Sequence, residues 1–141
     1  MTNKKYEVLI PGRIFIGGID AIENLLGNEK IDVIYDLRAE VNGQLSSDIS
    51  VHQPIVDEAE HQDESIKAAV TEVVDAYQAG KRVYFHCNTG RGRAGTIAAA
   101  TLLELKLADS VDDAEQKAKE IRPQINIRPQ FKEALKRIYD K

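Results

Sequence analysis

The residues best suited to chemistry form one short segment, residues 86–96, with the sequence HCNTGRGRAGT. Cys87 is the one cysteine of the chain, and Gly90 and Gly92 follow it closely. Two glycines allow a loop to curl until its backbone N–H groups point inward and form a site for an anion. Arg93 adds a planar guanidinium that can bind two oxygens of a phosphoryl group. The segment therefore combines a nucleophile with a cradle for phosphate.

This combination predicts covalent phosphoryl transfer. N–H groups at the start of a helix bind anions and also stabilise a thiolate, and a thiolate beneath a bound phosphoryl group can attack phosphorus. A single cysteine after an apolar strand is more often a small core residue, but a core cysteine gains nothing from neighbouring glycines and arginines. We therefore expect Cys87 to be the nucleophile and Arg93 the phosphate clamp. The residues expected to bind the phosphate are Asn88, Thr89, Gly90, Arg91, Gly92 and Arg93.

Alternating strands and helices must position this segment. The run from Ile31 to Tyr35 predicts one strand and the run from Val83 to Phe85 another, while the apolar residues from Gly95 to about Leu107 predict a buried central helix. Apolar residues at helical spacing predict a long helix from Asp63, as its N-cap, to about Ala79.

Weaker patterns complete the sequence of elements. Residues 13–16 predict a short strand, and residues 52–56 predict an edge strand because of Pro54. Residues 110–122 predict a helix with an N-terminal cap, and Pro129 predicts the first turn of a last helix. Together they predict an α/β fold in which a central, mostly parallel sheet is flanked by helices and the strand–loop–helix around Cys87 lies at its centre. No repeat or linker divides residues 1–141, so we expect a single domain.

Composition excludes several classes of function. A net charge of −4 argues against nucleic-acid binding and against docking on an anionic membrane. One cysteine excludes an intrachain disulfide, and His52 and His61 lack a ligand cluster at metal spacing, so we expect no metal or other cofactor. No run of the chain is apolar over the length of a membrane span, and we expect a cytoplasmic protein.

The motif His86-Cys87-x-x-Gly90-x-x-Arg93 resembles the signature loop of the cysteine-dependent protein tyrosine phosphatase superfamily, and the short chain resembles its dual-specificity branch. Residues 11–18, 31–38 and 121–123 are similar to the flanking segments of that family, although each similarity is weak. The resemblance implies a cysteinyl-phosphate intermediate and a separate aspartic acid that protonates the leaving oxygen.

The acid of this family usually follows a strand about thirty residues before the cysteine. Asp57 lies 30 positions before Cys87 and follows a predicted strand, so the resemblance assigns it this role. Asp63 is the competitor, but it fits better as a helix cap. The same aspartate would later act as base for the attacking water.

Other positions have two interpretations each. His86 either orders the loop or simply ends a strand; Arg91 either brings charge to the mouth of the site or is solvated. Gln130 stands where the family often carries Asn or Gln near the loop, and it either positions water or caps a helix. Asp36 and Arg38 predict a structural ion pair.

Position 94 departs from the family. Most relatives have Ser or Thr after the arginine, and its hydroxyl stabilises the cysteine sulfur as the intermediate is hydrolysed. Here the residue is Ala94, and Thr96 lies two residues further on. The departure predicts slow breakdown of the intermediate rather than an inability to form it.

The sequence thus predicts a phosphomonoester hydrolase that acts on phosphotyrosine in proteins, with phosphoserine and phosphothreonine left open. Phosphoinositides, inositol phosphates and other small esters stay open as substrates. A phosphate-binding pseudophosphatase is a second class, although a binder needs neither the thiol nor the acid. A thiol-redox enzyme ranks last because a single cysteine cannot resolve an oxidised form internally.

Overall fold

The sheet places the cysteine-containing strand at its centre. The computed structural model describes residues 5–39, 48–56 and 61–140. Within them the strands run in the order β1-β2-β5-β3-β4, with β1 antiparallel to β2 and the remaining pairs parallel. The strands are β1 (Glu7–Ile10), β2 (Ile14–Gly18), β3 (Val33–Asp36), β4 (Ser50–His52) and β5 (Val83–Cys87).

Helices cover both faces of the sheet. They are α1 (Ile22–Asn28), α2 (Gln62–Gln78), α3 (Arg93–Glu104), α4 (Val111–Ile121) and α5 (Pro129–Tyr139). On β5, Tyr84 packs into a small cluster with α1, whereas Val83 and Phe85 pack into the larger core with α2, α3, α4 and α5. This alternation follows from the two-residue period of a strand. The predicted α/β fold with a central, mostly parallel sheet is confirmed.

Several helix ends follow their local signals. The Ser110 hydroxyl caps α4 by accepting a hydrogen bond from the Asp113 N–H at 3.1 Å, and α4 ends before Pro123. Pro129 is the first residue of α5. Gly80, with φ of +89°, follows α2 in a left-handed conformation that favours glycine.

Two expectations about the elements were wrong, and one strand was not predicted. Asp63 is not the N-cap of α2, because His61 is the N-cap and the Asp63 carboxylate pairs with Arg137 on α5 at 2.8 Å. The edge strand is Ser50–His52 rather than residues 52–56. The sequence patterns also missed β1, which pairs with β2 through a turn that contains Gly12 at φ of +72°. In the described part of the chain, no helix is long and apolar enough to cross a membrane.

Candidate active site

The predicted phosphate loop leaves the sheet at its middle. β5 lies between β2 and β3 and ends at Cys87, which is 6% exposed. The chain then turns through residues 88–92 and enters α3 at Arg93. The loop therefore lies at the carboxyl end of parallel strands, where open α/β sheets bind ligands, and at the positive end of a helix.

Neighbouring strands hold the first carbonyl groups of the loop. The Leu37 N–H donates to the His86 carbonyl at 2.8 Å, and the Ile19 N–H donates to the Asn88 carbonyl at 3.2 Å. The Cys87 carbonyl lies 3.0 Å from Nδ1 of His86. Protein groups therefore already occupy these three carbonyls.

A buried arginine holds the next two carbonyl groups. Arg122, which is 6% exposed and follows α4, donates from Nε to the Gly90 carbonyl and from Nη2 to the Thr89 carbonyl, each at 3.0 Å. Its Nη1 forms an ion pair with Glu7 on β1. The fork of one guanidinium therefore fixes both the loop and the first strand.

The end of the loop is held in the same way. The Asn126 N–H donates to the Arg91 carbonyl at 3.0 Å, and the N–H and hydroxyl of Thr96 each donate to the Gly92 carbonyl at 2.9 Å. Within the described residues, the N–H groups of residues 88–92 make no hydrogen bond to another protein group. Because every carbonyl from 86 to 92 is hydrogen-bonded to the protein, these N–H groups are the donors that remain for an oxyanion.

Close packing against β2 requires glycine at position 90. Gly90 has φ of +72°, and a Cβ there would lie 2.6 Å from the carbonyl carbon and oxygen of Gly17. Backbone cannot yield to such a contact. The Tyr84 hydroxyl donates to the Gly18 carbonyl at 2.6 Å and so braces the strand end on which the loop rests.

Arg93 connects the loop with the segment that leads to the expected acid. Its Nε donates to the Ile55 carbonyl at 2.7 Å, and its guanidinium carbon lies 5.9 Å from the ring centroid of Phe131 on α5. Ile55 lies two residues before Asp57, which is outside the described residues. Asp63, the competitor, is engaged with Arg137 between α2 and α5.

A cavity of about 290 Å³ opens above Cys87. The described residues that line it are Cys87, Asn88, Thr89, Gly92, Arg93, Arg128 and Phe131. Sequence reasoning missed Arg128 and Phe131, which have no local signal and reach the site only because α5 packs against α2 and α3. Gln130, between them, is exposed and is not among the described lining residues. Arg91 is exposed and lines a neighbouring cavity.

His86 is held as a neutral base behind the loop. Burial lowers its pKa from the ordinary value, with the hydrogen bond to the Cys87 carbonyl opposing that effect. A carbonyl only accepts, so Nδ1 carries the proton of the neutral ring. Nε2 is buried and has no partner in the described part of the protein. The ring therefore restrains the backbone at Cys87.

The predicted ion pair between Asp36 and Arg38 is present. Arg38 donates to both carboxylate oxygens of fully buried Asp36, the shortest distance being 2.6 Å. Burial acts to raise the pKa of Asp36, but hydrogen bonds from Arg38 outweigh it and hold the pKa below its usual range. Nε2 of His52 lies 2.7 Å from the Arg38 carbonyl. The pair fixes the end of β3 beside the loop.

No hydroxyl is available to the sulfur from position 94 or 96. Ala94 is fully buried, and the Thr96 hydroxyl donates its proton to the Gly92 carbonyl. Its single proton is committed there. Among the described residues, no group of three or more His, Cys, Asp or Glu side chains could hold a metal ion.

Residues 14–141 match the family model for the dual specificity phosphatase catalytic domain. The chain belongs to this family. No curated protein sequence matches it. The loop from Cys87 to Arg93 lies within the matched residues.

Solved structures support the same fold for this dual specificity phosphatase domain. Human DUSP28 aligns with a TM-score of 0.80 at 19% identity, covering 99% of this chain and 95% of its own. A mouse putative dual specificity phosphatase complexed with zinc tungstate gives 0.81 at 20%, covering 99% and 89%. PTPMT1 in complex with PI(5)P gives 0.75 at 21%, covering 96% and 95%.

Proposed function

We propose that this domain hydrolyses phosphate monoesters through a cysteinyl-phosphate intermediate, with phosphotyrosine in proteins as its principal substrate and phosphoserine and phosphothreonine as further ones. The observation that carries the proposal is the arrangement of the loop: all seven carbonyls from 86 to 92 are hydrogen-bonded, five of them to donors from outside the loop, and the N–H groups of residues 88–92 remain for an oxyanion. An ordinary structural turn does not need five such external donors.

In the first step the Cys87 thiolate attacks phosphorus. The sulfur–phosphorus bond forms as the ester oxygen–phosphorus bond breaks, and the leaving oxygen takes a proton from Asp57. The N–H groups of residues 88–92 and the Arg93 guanidinium stabilise the charge on the transferring phosphoryl oxygens. His86 keeps the backbone at Cys87 in place through its bond to the Cys87 carbonyl.

In the second step water attacks phosphorus and gives its proton to the Asp57 carboxylate. The sulfur–phosphorus bond breaks, its electron pair returns to Cys87, and inorganic phosphate leaves. The hydrogen bond from Arg93 to the Ile55 carbonyl supports Asp57 as the acid, because it holds the segment that precedes Asp57 next to the guanidinium proposed to bind the phosphate. Gln130 is proposed to act only at the rim, since its side chain is exposed on α5.

A steady-state assay with matched variants tests this proposal. Cys87→Ser should reduce turnover of a phosphotyrosine peptide to background while vanadate binding persists, because a neutral hydroxyl is a far poorer nucleophile. Rapid quenching of the natural protein should yield phosphate bound to Cys87. Substantial turnover by Cys87→Ser would remove the covalent mechanism, and loss of turnover with a chelator would point to metal-assisted hydrolysis instead.

Small phosphate esters form a second candidate class of substrate. The fold similarity to PTPMT1 in complex with PI(5)P, together with the arginine Arg128 at the cavity, favours testing lipid and inositol phosphates beside peptides. Relative kcat/KM values for a phosphotyrosine peptide, PI(5)P in vesicles and a soluble inositol phosphate decide between them. A phosphoinositide preferred by more than about tenfold, equivalent to about 1.4 kcal/mol, would replace the protein substrate in this proposal.

A further inference from the structure

A second cavity, of about 630 Å³, shares a wall with the one above Cys87. Asn88 and Thr89 line both cavities and therefore form the wall between them. The other residues lining this second cavity are Lys5, Ile19, Asp20, Arg91, Arg122 and Gln124. The side-chain charges of Lys5, Asp20 and Arg91 have no role in the proposed reaction.

The charges of this second cavity suit an acidic side chain. Lys5 and Arg91 are exposed, and neither makes an ion pair within the part of the chain that the structure describes. Arg122 also lines it, but its guanidinium is committed to Glu7 and to two loop carbonyls. Asp20 contributes one exposed carboxylate. Two available cations thus face one anion.

This balance of charges favours a carboxylate over a second phosphate as the group bound in the cavity. A phosphate carries close to two negative charges at neutral pH, and the Asp20 carboxylate would repel it more strongly than a singly charged side chain. A cavity for a polyphosphorylated headgroup would gain from cations alone. The mixed lining, with Gln124, Asn88 and Thr89 as hydrogen-bonding groups, is suited to a peptide.

The geometry of an extended peptide indicates which substrate residue, counted from the phosphorylated one, can enter the second cavity. Side chains two residues apart in an extended chain point to the same side and are about 7 Å apart. A peptide crossing the wall of Asn88 and Thr89 can therefore place its phosphorylated residue above Cys87 and the residue two positions away in the second cavity. A neighbour one position away would point to the opposite side.

Resting on the proposed function, we infer that the second cavity selects substrates with an acidic residue two positions from the phosphorylated one, and that Lys5 and Arg91 are the specificity-determining residues. The charge of Asp20 limits this preference. The proposed catalytic step uses the backbone N–H of Arg91 but neither its guanidinium nor the Lys5 ammonium group, and both residues line the second cavity.

Matched phosphotyrosine peptides with Glu or Gln at position −2 or +2 test this inference. The ratio of kcat/KM for the Glu peptide to that for the Gln peptide should be roughly threefold to tenfold at one of these positions, as exposed charge pairs allow, and should fall as salt is added. Lys5→Ala and Arg91→Ala should each move the ratio toward one, and Asp20→Asn should raise it. Lys30→Ala, an exposed lysine outside the cavity, is the control and should leave the ratio unchanged.

The outcomes separate this inference from the proposed function. If peptides are hydrolysed but Glu and Gln peptides are equivalent, or if Lys5→Ala and Arg91→Ala both retain the natural ratio, the second cavity has no such role. If phosphopeptides are not hydrolysed while phosphoinositides are, the substrate class proposed above fails and this inference fails with it. A loss confined to phosphoinositide turnover in Lys5→Ala and Arg91→Ala would assign the cavity to a headgroup instead.

Discussion

Alanine at position 94 separates the two halves of the proposed reaction. Formation of the intermediate uses the loop N–H groups and Arg93, neither of which involves that side chain. Breakdown returns negative charge to the Cys87 sulfur, and a hydroxyl that donates to the sulfur would act in that step alone. The Thr96 hydroxyl cannot replace it while it donates to the Gly92 carbonyl.

We therefore expect burst kinetics, with phosphocysteine accumulating before slow hydrolysis. Ala94→Ser should raise the steady-state rate by about 10- to 150-fold, since a hydrogen bond to a charged group contributes roughly 1.5–3 kcal/mol. The burst rate should stay nearly constant. Stopped-flow measurement of phenolate release checks both phases, and an unchanged steady-state rate in Ala94→Ser would show that breakdown does not limit turnover.

The proposed role of Asp57 as general acid leads to a second prediction for a single residue. Asp57→Asn should slow hydrolysis of alkyl and tyrosyl phosphates by about 10²- to 10⁴-fold, the usual contribution of general acid–base catalysis. An ester whose leaving group needs no proton should be affected less. Asp63→Asn is the matched control, because Asp63 is paired with Arg137 on α5 and is not among the described residues that line the cavity above Cys87. The assignment is wrong if the two variants exchange these phenotypes.

Among the elements, the segment after α4 holds three of the loop carbonyls, two through Arg122 and one through Asn126. Arg122→Lys should weaken vanadate binding about tenfold or more, because one ammonium group cannot hold the Thr89 and Gly90 carbonyls in the geometry of a guanidinium fork. Each buried carbonyl left without a donor costs roughly 1–3 kcal/mol of stability. Calorimetric titration with vanadate and thermal unfolding give the two quantities.

Glu7→Gln separates positioning from stability in that experiment. It removes the ion pair with Arg122 but leaves both bonds from Arg122 to the loop available, so it should lower Tm with little change in vanadate affinity. If the loss of vanadate affinity per degree of Tm lost is the same in Arg122→Lys and Glu7→Gln, Arg122 acts only through the stability of the fold.

Some elements of the fold could be predicted from the sequence and others could not. The strand, loop and helix around Cys87 were predictable because their signals are local: an apolar run, two glycines and a second apolar run. β1 was missed, although Pro11 and Gly12 between two apolar runs are a turn signal that indicates a hairpin. The buried role of Arg122 could not be predicted, because nothing near a charged residue in sequence reveals a partner 32 residues away.

For the whole molecule, the burial of His86 predicts that the protein loses stability in mild acid. Unfolded histidine binds a proton near pH 6.5, whereas burial keeps folded His86 neutral to lower pH. The unfolded state therefore binds more protons in this window, and the free energy of unfolding should fall as pH drops below about 6.5, by at most about 1.4 kcal/mol per pH unit. Asp36, whose pKa is held low, adds its own loss only at more acidic pH, below about 4.

Denaturant unfolding between pH 7.5 and 5 measures this slope. His86→Gln should flatten it, while His61→Gln, at an exposed position, should not. Should His86→Gln fail to fold, NMR titration of the His86 ring in the natural protein gives the answer. A His86 ring that gains its proton at or above pH 6.5 would contradict the prediction.

The donors that hold the loop have a consequence for how the chain acquires activity. Ile19, Leu37, Arg122 and Asn126 come from widely separated parts of the chain, so the loop cannot be completed by local folding. A nascent chain has its cysteine and its glycines long before it has the last of these donors. Catalytic competence should therefore emerge only after Asn126 has been synthesised. In refolding it should follow the formation of most helix, so that a recovering sample regains its circular dichroism signal before it regains turnover.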